Sequence, residues 1–108
     1  IGETANKNCI IIDDIVDTAG TLCSAALELK KTGAKSVRAY ITHPVLSGPA
    51  VKNIQNSSID EVVTTDTIPL SDEARACSKI RVVSLSDMLA QAITRVNIEE
   101  SVSSMFAD

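Results

Sequence analysis

Three aspartates and a short polar turn lie close together in the sequence and have groups that suit the binding of a polar ligand. Asp13, Asp14 and Asp17 follow a run of isoleucines in "IIIDDIVDTAGTL", and residues 18–21 come directly after them. A phosphate group requires N–H donors, hydroxyls and the positive end of a helix, and this turn offers all three where a helix is predicted to begin. Gly20 would let a ligand approach the backbone closely. The pattern therefore predicts an anion site at the turn.

The acids call for a different part of the ligand, because three carboxylates beside a bare phosphate would repel it. Carboxylates accept hydrogen bonds from sugar hydroxyls, or they hold a magnesium ion that those hydroxyls also bind. A sugar phosphate satisfies both halves of the motif, with its phosphate in the turn and its hydroxyls on the acids. The alternative is that Asp13, Asp14 and Asp17 are solvated loop and cap residues at the edge of a sheet.

Alternating strand and helix patterns must position these residues. Residues 8–12 are apolar on both faces, which is typical of a central parallel strand. Residues 21–32 have apolar side chains at helical spacing, and Gly33 is a suitable stop. Such alternation predicts an α/β fold with a mostly parallel sheet and helices on both faces, in which ligands bind at the carboxyl ends of strands. The remaining predicted elements are strands at 36–42, 61–65 and 80–85, helices from Ser47 to Gln55 and from Ser86 to Val96, and one helical turn after Ser71. In the last helix, Leu89, Ala92, Ile93 and Val96 are predicted to share the buried face.

Composition restricts the class of protein. The 108 residues suffice for one small domain, and the net charge of -4 with 2% aromatic residues argues against a nucleic-acid partner. No apolar run approaches the roughly 20 residues that span a membrane, and the polar first residues lack a signal-peptide core. Cys9, Cys23 and Cys77 fit no metal-binding spacing, so we expect reduced packing residues of a cytoplasmic protein.

Four stretches carry a resemblance to a known family. "IIIDDIVDTAGTL" is similar to the phosphoribosyl diphosphate (PRPP) signature of type I phosphoribosyltransferase folds. "THPVLSGPA", "NSSIDEVVTTDTIPLSDEA" and "ESVSSMF" resemble the C-terminal portion of ribose-phosphate diphosphokinase, also called PRPP synthetase. The four stretches occur in order along essentially the whole chain. The first alone would not separate a synthetase from a transferase, whereas the later three resemble the synthetase specifically.

The resemblance implies a reaction and a set of site residues. The family transfers diphosphate from ATP, with magnesium, to O1 of ribose 5-phosphate, and so makes PRPP for nucleotide biosynthesis. It implies that the chain holds ribose 5-phosphate and contributes no catalytic or metal-binding residue, since the family's ATP segments, Mg²⁺ ligands and catalytic lysine lie upstream. The implied ribose-hydroxyl contacts are Asp13 and Asp14, and the implied 5-phosphate loop is Asp17, Thr18, Ala19, Gly20 and Thr21.

The resemblance also implies that residues 1–108 are the C-terminal part of a second phosphoribosyltransferase-like domain. We expect the upstream part to supply strands beside residues 9–12, and the isolated chain to be inactive and either marginal or self-associating. A homo-oligomer, with a hexamer expected, is implied for the complete enzyme.

The roles of His43, Ser101 and Ser103 and three alternative classes of protein are also considered from the sequence. His43 is predicted to occupy a structural turn, with contact near the sugar or nucleotide as the other interpretation. Ser101 and Ser103 match serines of a regulatory phosphate or ADP site in relatives, although the tail could simply dock on the body. The alternatives are a PRPP-using phosphoribosyltransferase, a non-catalytic synthetase-associated subunit, and a receiver domain, which would require an acid at the end of "AYITHP" that the sequence lacks.

Overall fold

A computed structural model describes residues 5–97 and 101–104, and these form one parallel sheet with helices between the strands. The spatial strand order is β4-β3-β2-β1-β5, and every pairing is parallel. The predicted α/β class with a parallel sheet is confirmed. The strands are β1 (Asn8–Val16), β2 (Ser36–Pro44), β3 (Glu61–Thr64), β4 (Ile80–Val82) and β5 (Ser101–Ser104), and the helices are α1 (Gly20–Lys31), α2 (Ala50–Gln55), α3 (Asp72–Ala76) and α4 (Leu85–Asn97).

The core lies on both faces of the sheet, because alternate side chains of each strand point to opposite sides. On one face, buried residues of α1, α2 and α3 pack against Cys9, Ile11 and Val62 of the strands. On the other face, Met88 of α4 packs against a smaller cluster that contains Ile10 and Tyr40. Helices therefore cover both faces, as the strand and helix alternation predicts.

β1 is a central strand over its first half and an edge strand over its second half. Ile10 and Ile11 are fully buried. β5 pairs with β1 from Cys9 to Ile12, so the expectation that these residues need neighbouring strands from elsewhere is wrong. Beyond Ile12, β1 continues beside β2 alone among the described residues. The acidic half of β1 is consequently open along one edge.

Several boundaries differ from the sequence prediction. β1 runs to Val16, so Asp13 and Asp14 lie within the strand and not after it, and β2 runs to Pro44, which places His43 in a strand. β4 ends three residues earlier than predicted, at Val82.

The predicted helix starts at Ser47 and Ser86 are also wrong. Ser47 caps no helix, because α2 begins at Ala50 and the Ser47 hydroxyl bonds Asp17. At α4, Ser84 and not Ser86 accepts the hydrogen bond from the N–H of Asp87, at 3.2 Å. The helical turn predicted after Ser71 is present as α3, and the Ser71 hydroxyl accepts from the N–H of Ala74 at 3.1 Å.

The buried face of α4 is also different from the predicted one. Met88 is 5% exposed and Ala92 packs against the same cluster, whereas Leu89 and Ile93 are 52% and 61% exposed. The placement of Leu89 and Ile93 in the core is therefore wrong. Val96, predicted on the same face, lies outside the residues whose side chains the structure describes.

Candidate sugar-phosphate site

The loop between β1 and α1 leaves several backbone donors available. Asp17, Thr18 and Ala19 join the strand to the helix, and the first helical hydrogen bond runs from the N–H of Cys23 to the carbonyl of Ala19 at 2.9 Å. The N–H groups of residues 20–22 precede that bond, and no side chain in the described part of the chain caps the helix. The first turn of α1 carries no acidic residue. A helix start of this kind attracts an anion through its dipole and its free donors.

A pocket of about 390 Å³ opens at this loop. Ile15, Val16 and Leu22 contribute its apolar wall. The structure thus brings six of the seven predicted ligand residues to one concavity, while Asp14 lies beside it with its side chain 73% exposed. The six predicted residues that line the pocket are Asp13, Asp17, Thr18, Ala19, Gly20 and Thr21.

Each of the three acids is held by a different partner. Oδ1 of Asp13 accepts a hydrogen bond from the N–H of Asp14 at 2.8 Å. Oδ1 of Asp14 lies 3.6 Å from Nε2 of His43, and Oδ1 of Asp17 accepts a hydrogen bond from the hydroxyl of Ser47. Hydrogen bonds therefore direct the carboxylates of Asp13 and Asp17, while that of Asp14 faces the His43 ring across a longer contact. Oriented acceptors select hydroxyls by geometry as well as by charge.

The segment that follows β2 supports the loop from below. The N–H groups of Leu46 and Ser47 donate to the carbonyls of Val16 and Asp17 at 3.0 and 2.9 Å. From α2, the side-chain amide of Asn53 donates to the carbonyl of Thr18 at 3.0 Å. Sequence reasoning missed both Ser47 and Asn53 as supports, because they lie 30 and 35 positions along the chain from the residues that they contact.

The left-handed residue of the loop is Ala19 and not Gly20. Ala19 has φ 67° and is buried, a conformation that costs an L-residue roughly 1–2 kcal/mol. A Cβ placed on Gly20 would meet only Thr18 Oγ1, at an ordinary 3.8 Å. Backbone conformation therefore does not require glycine at position 20, and a left-handed alanine is the kind of local strain that folded proteins retain beside functional sites.

The cysteines agree with the packing role that the sequence predicts. Cys9 and Cys77 are buried in the core, and none of the three cysteines forms a disulfide within the described ranges. Burial raises the pKa of the Cys23 thiol, and this outweighs the lowering effects of a hydrogen bond with Ser57 and the charge of Lys79. Cys23 is therefore a protonated, weakly nucleophilic thiol at neutral pH.

Residues 5–97 and 101–104 contain no group of three or more His, Cys, Asp or Glu side chains placed to hold a metal ion. None of the helices in the described ranges is long and apolar enough to cross a membrane.

The fold and the pocket together define a class of protein. It is a parallel α/β protein with an acid-rich strand, a loop suited to anion binding and a helix start at the carboxyl edge of its sheet. The family model described as "Phosphoribosyl synthetase-associated domain" matches residues 1–107. The chain belongs to that family.

Relatives and a solved structure agree with this assignment. Ribose-phosphate pyrophosphokinase of Xylella fastidiosa strain 9a5c is 62% identical over 108 residues, and that of Coxiella burnetii is 61% identical over the same length. Both matches cover 100% of this chain and 34% of the relative, so the chain spans about a third of the length of these proteins. The crystal structure of phosphoribosylpyrophosphate synthetase from Mycobacterium smegmatis matches with a TM-score of 0.74 and 35% identity, over 91% of this chain and 33% of that one.

Proposed function

We propose that this chain carries the ribose 5-phosphate site of a ribose-phosphate diphosphokinase. In the complete enzyme the reaction transfers diphosphate from ATP to O1 of ribose 5-phosphate and yields PRPP. The proposal rests on one pocket, which is lined both by the carboxylates of Asp13 and Asp17 and by the donor-rich loop of residues 18–21.

The two ends of the pocket suit the two ends of the substrate. The free N–H groups at the start of α1 and the hydroxyls of Thr18 and Thr21 bind the 5-phosphate. Asp13 and Asp14 accept hydrogen bonds from the ribose hydroxyls, and Asp17 orders the start of the loop. Holding the sugar at both ends fixes the direction of O1, which is the main way in which an enzyme accelerates a transfer of this type.

The rest of the reaction belongs to the remainder of a longer enzyme. ATP is the co-substrate, and the Mg²⁺ that accompanies it takes its ligands mainly from outside this chain, where it neutralises phosphate charge. We propose that residues 1–108 form the C-terminal part of the second phosphoribosyltransferase-like domain, that the enzyme is a cytoplasmic homo-oligomer of hexameric form, and that Ser101 and Ser103 belong to a regulatory phosphate or ADP site. The matches cover about a third of each relative, which gives the share of the enzyme that residues 1–108 represent. Their position in the enzyme is tested by determining where they lie in the sequence of the intact protein.

An alternative is a transferase that consumes PRPP at the same loop. The two reactions are separated by product analysis of the intact protein. Formation of PRPP and AMP from ATP and ribose 5-phosphate identifies the synthetase, whereas release of diphosphate from PRPP and a base identifies the transferase. A non-catalytic associated subunit would show neither activity. The 108-residue chain alone is expected to show no synthetase turnover, and any ATP-dependent PRPP formation by it would contradict that expectation.

The site assignment is tested by titrating ribose 5-phosphate into the intact enzyme and its variants. Asp13→Asn, Asp17→Asn and Thr21→Ala are each expected to weaken binding about tenfold or more, because each removes an interaction with an ionised group or an ordered loop. Glu28→Gln is the matched control, since Glu28 is an exposed acid on α1 away from the pocket. Unchanged affinity in all three site variants would overturn the proposed site.

A further inference from the structure

His43 lies between an acid of the site and a hydroxyl from the next strand connection. It is paired with Ile15 in the register of β1 and β2. Its Nε2 lies 3.6 Å from Oδ1 of Asp14, and its Nδ1 lies 3.2 Å from Oγ1 of Thr67. The histidine side chain is 40% exposed, so it is partly enclosed by these neighbours. The ring therefore connects the loop after β3 to the acidic strand.

The Nδ1 side of the His43 ring contacts Thr67, which is hydrogen-bonded to Thr65. Oγ1 of Thr65 donates to the carbonyl of Thr42 at 2.5 Å, and Thr65 is fully buried. Oγ1 of Thr67 lies 2.9 Å from both that carbonyl and Thr65 Oγ1, and the N–H of Thr67 donates to Thr65 Oγ1 at 3.2 Å. The position of the Thr67 hydroxyl is thus fixed by groups that are themselves buried or part of β2.

The Asp14 carboxylate determines which tautomer of a neutral His43 ring can donate to it. An ionised carboxylate only accepts, so a neutral ring that donates to Asp14 carries its hydrogen on Nε2. In that tautomer Nδ1 accepts from the Thr67 hydroxyl, and the carbonyl of Thr42 accepts from Thr65. This arrangement presents a donor to the acid without requiring the ring to be charged.

Among the three acids, Asp14 is the one whose carboxylate contacts a side chain of β2 in the described ranges. The Asp13 carboxylate is tied to the adjacent backbone, and that of Asp17 is tied to Ser47. For the Asp14 carboxylate, His43 is the one partner found within the described ranges. An exposed pair of this kind adds little to the free energy of unfolding. Its effect is therefore on the direction in which the Asp14 carboxylate points.

We propose that His43 is a positioning residue that orients Asp14 toward the ribose hydroxyls of bound ribose 5-phosphate. The inference rests on the proposed function of the site. It predicts that the loss of the Nε2 donor weakens the ribose end of the substrate, and leaves the affinity for ATP unchanged. The contact acts through Asp14, so His43 itself touches neither the substrate nor the reacting atoms.

The test compares substitutions that keep or lose the donor at the Nε2 position. In His43→Gln the side-chain amide nitrogen reaches about as far as Nε2, whereas in His43→Asn it reaches only as far as Nδ1. In the intact enzyme, His43→Asn is expected to raise KM for ribose 5-phosphate about threefold to tenfold, and His43→Gln is expected to stay near the parent value. Thr67→Val, which leaves the histidine in place and removes its anchor, is expected to raise the same KM by a smaller factor. KM for ATP and the Tm serve as readouts of general damage.

A double-mutant cycle decides whether the effect passes through Asp14. His43→Asn added to Asp14→Asn is expected to cause no further increase in KM for ribose 5-phosphate, because the partner is already altered. Equal KM values for the parent, His43→Asn and His43→Gln, or additive effects in the cycle, would overturn the positioning role. Asp13→Asn separates this failure from failure of the proposed function: if it raises KM while His43→Asn does not, only the positioning role is lost, and if neither raises it, both are lost.

Discussion

The hydroxyl of Ser47 donates a hydrogen bond to the carboxylate of Asp17, and this joins the turn after β2 to the loop after β1. The same two residues are also linked through the backbone, since the N–H of Ser47 donates to the carbonyl of Asp17 at 2.9 Å. Leu46, immediately before Ser47, has a left-handed φ of 48°, so this contact is made from a constrained turn. Two segments 30 residues apart therefore share the task of shaping the anion loop.

Ser47→Ala in the intact enzyme removes the side-chain bond and keeps the backbone bond. We expect KM for ribose 5-phosphate to rise about twofold to tenfold, less than for Asp17→Asn, because the carboxylate remains but is no longer directed. Steady-state kinetics with ribose 5-phosphate as the varied substrate measures this change. Ser58→Ala, which alters a serine outside the pocket, is the control, and an equal rise in both variants would refute the specific role of Ser47.

Thr64→Val is expected to stabilise the protein. Thr64 is fully buried in β3, and within the described residues its Oγ1 has no hydrogen-bond partner. Valine has nearly the same shape and removes a buried polar atom, with a gain of about 1 kcal/mol. The apparent Tm should rise by a few degrees.

Thr65→Val is the matched control for that substitution, because Thr65 is equally buried but its hydroxyl donates to the carbonyl of Thr42 at 2.5 Å. Its Tm should fall. If both valines shift the Tm in the same direction, the difference between a satisfied and an unsatisfied hydroxyl does not control stability here.

Asp60→Asn is expected to lower stability in a pH-dependent way. Partial burial alone would raise the pKa of Asp60, but the N–H of Val37 at 2.7 Å and the ammonium of Lys30 at 3.1 Å hold that pKa below its ordinary value. A carboxyl whose pKa is lowered by folding stabilises the native state above its unfolded pKa, and the contribution is lost as the pH falls through the folded pKa.

The Asp60→Asn variant should therefore melt about 1–3 °C below the parent near pH 7. The difference should begin to shrink near the unfolded pKa of about 4 and disappear only at lower pH, below the folded pKa. Thermal melts across this pH range measure the effect. Asp66→Asn replaces an exposed aspartate and provides the comparison. A deficit of Asp60→Asn that persists unchanged at acid pH would show that the ionised carboxylate is not responsible.

The exposed apolar stripe of α4 is expected to drive self-association of the isolated chain. Leu85, Leu89 and Ile93 recur every four residues and are 45%, 52% and 61% exposed. Such a stripe is characteristic of a helix face that is covered by another protein surface. Leu89→Lys combined with Ile93→Lys should shift the isolated chain toward monomer in sedimentation equilibrium. Ser86→Lys combined with Ala90→Lys adds the same charge elsewhere on α4, and an identical mass distribution for the two double variants would contradict the assignment.

Much of the fold follows from local patterns in the sequence. The isoleucines of residues 8–12 and the helical spacing after Thr21 predict the strand, the helix and the carboxyl edge between them correctly. β5 was missed, because Ser101–Ser104 is short and polar and gains its strand structure only by pairing with Cys9–Ile12. The face of α4 was misjudged because its leucine and isoleucine are exposed while Met88 is buried.

The candidate site shows the same division between local and tertiary information. The aspartates and the loop were visible in the sequence, since they are adjacent along the chain. The hydrogen bonds around them join residues that are 24 to 35 positions apart, namely His43 and Thr67, Ser47 and Asp17, and Asn53 and Thr18. Such contacts depend on the register of the sheet. The left-handed conformation of Ala19 could not be read from the sequence, because backbone preference favours glycine there and it is tertiary packing that holds Ala19.

The sugar-phosphate site can be observed in a crystal structure of the intact enzyme with ribose 5-phosphate bound. Phosphate oxygens are expected within about 3.2 Å of the N–H groups at the start of α1 and of the hydroxyls of Thr18 or Thr21, with the ribose hydroxyls against Asp13 and Asp14. Ribose 5-phosphate bound at another place, with the pocket beside Asp17 free of ligand, would contradict the proposed site.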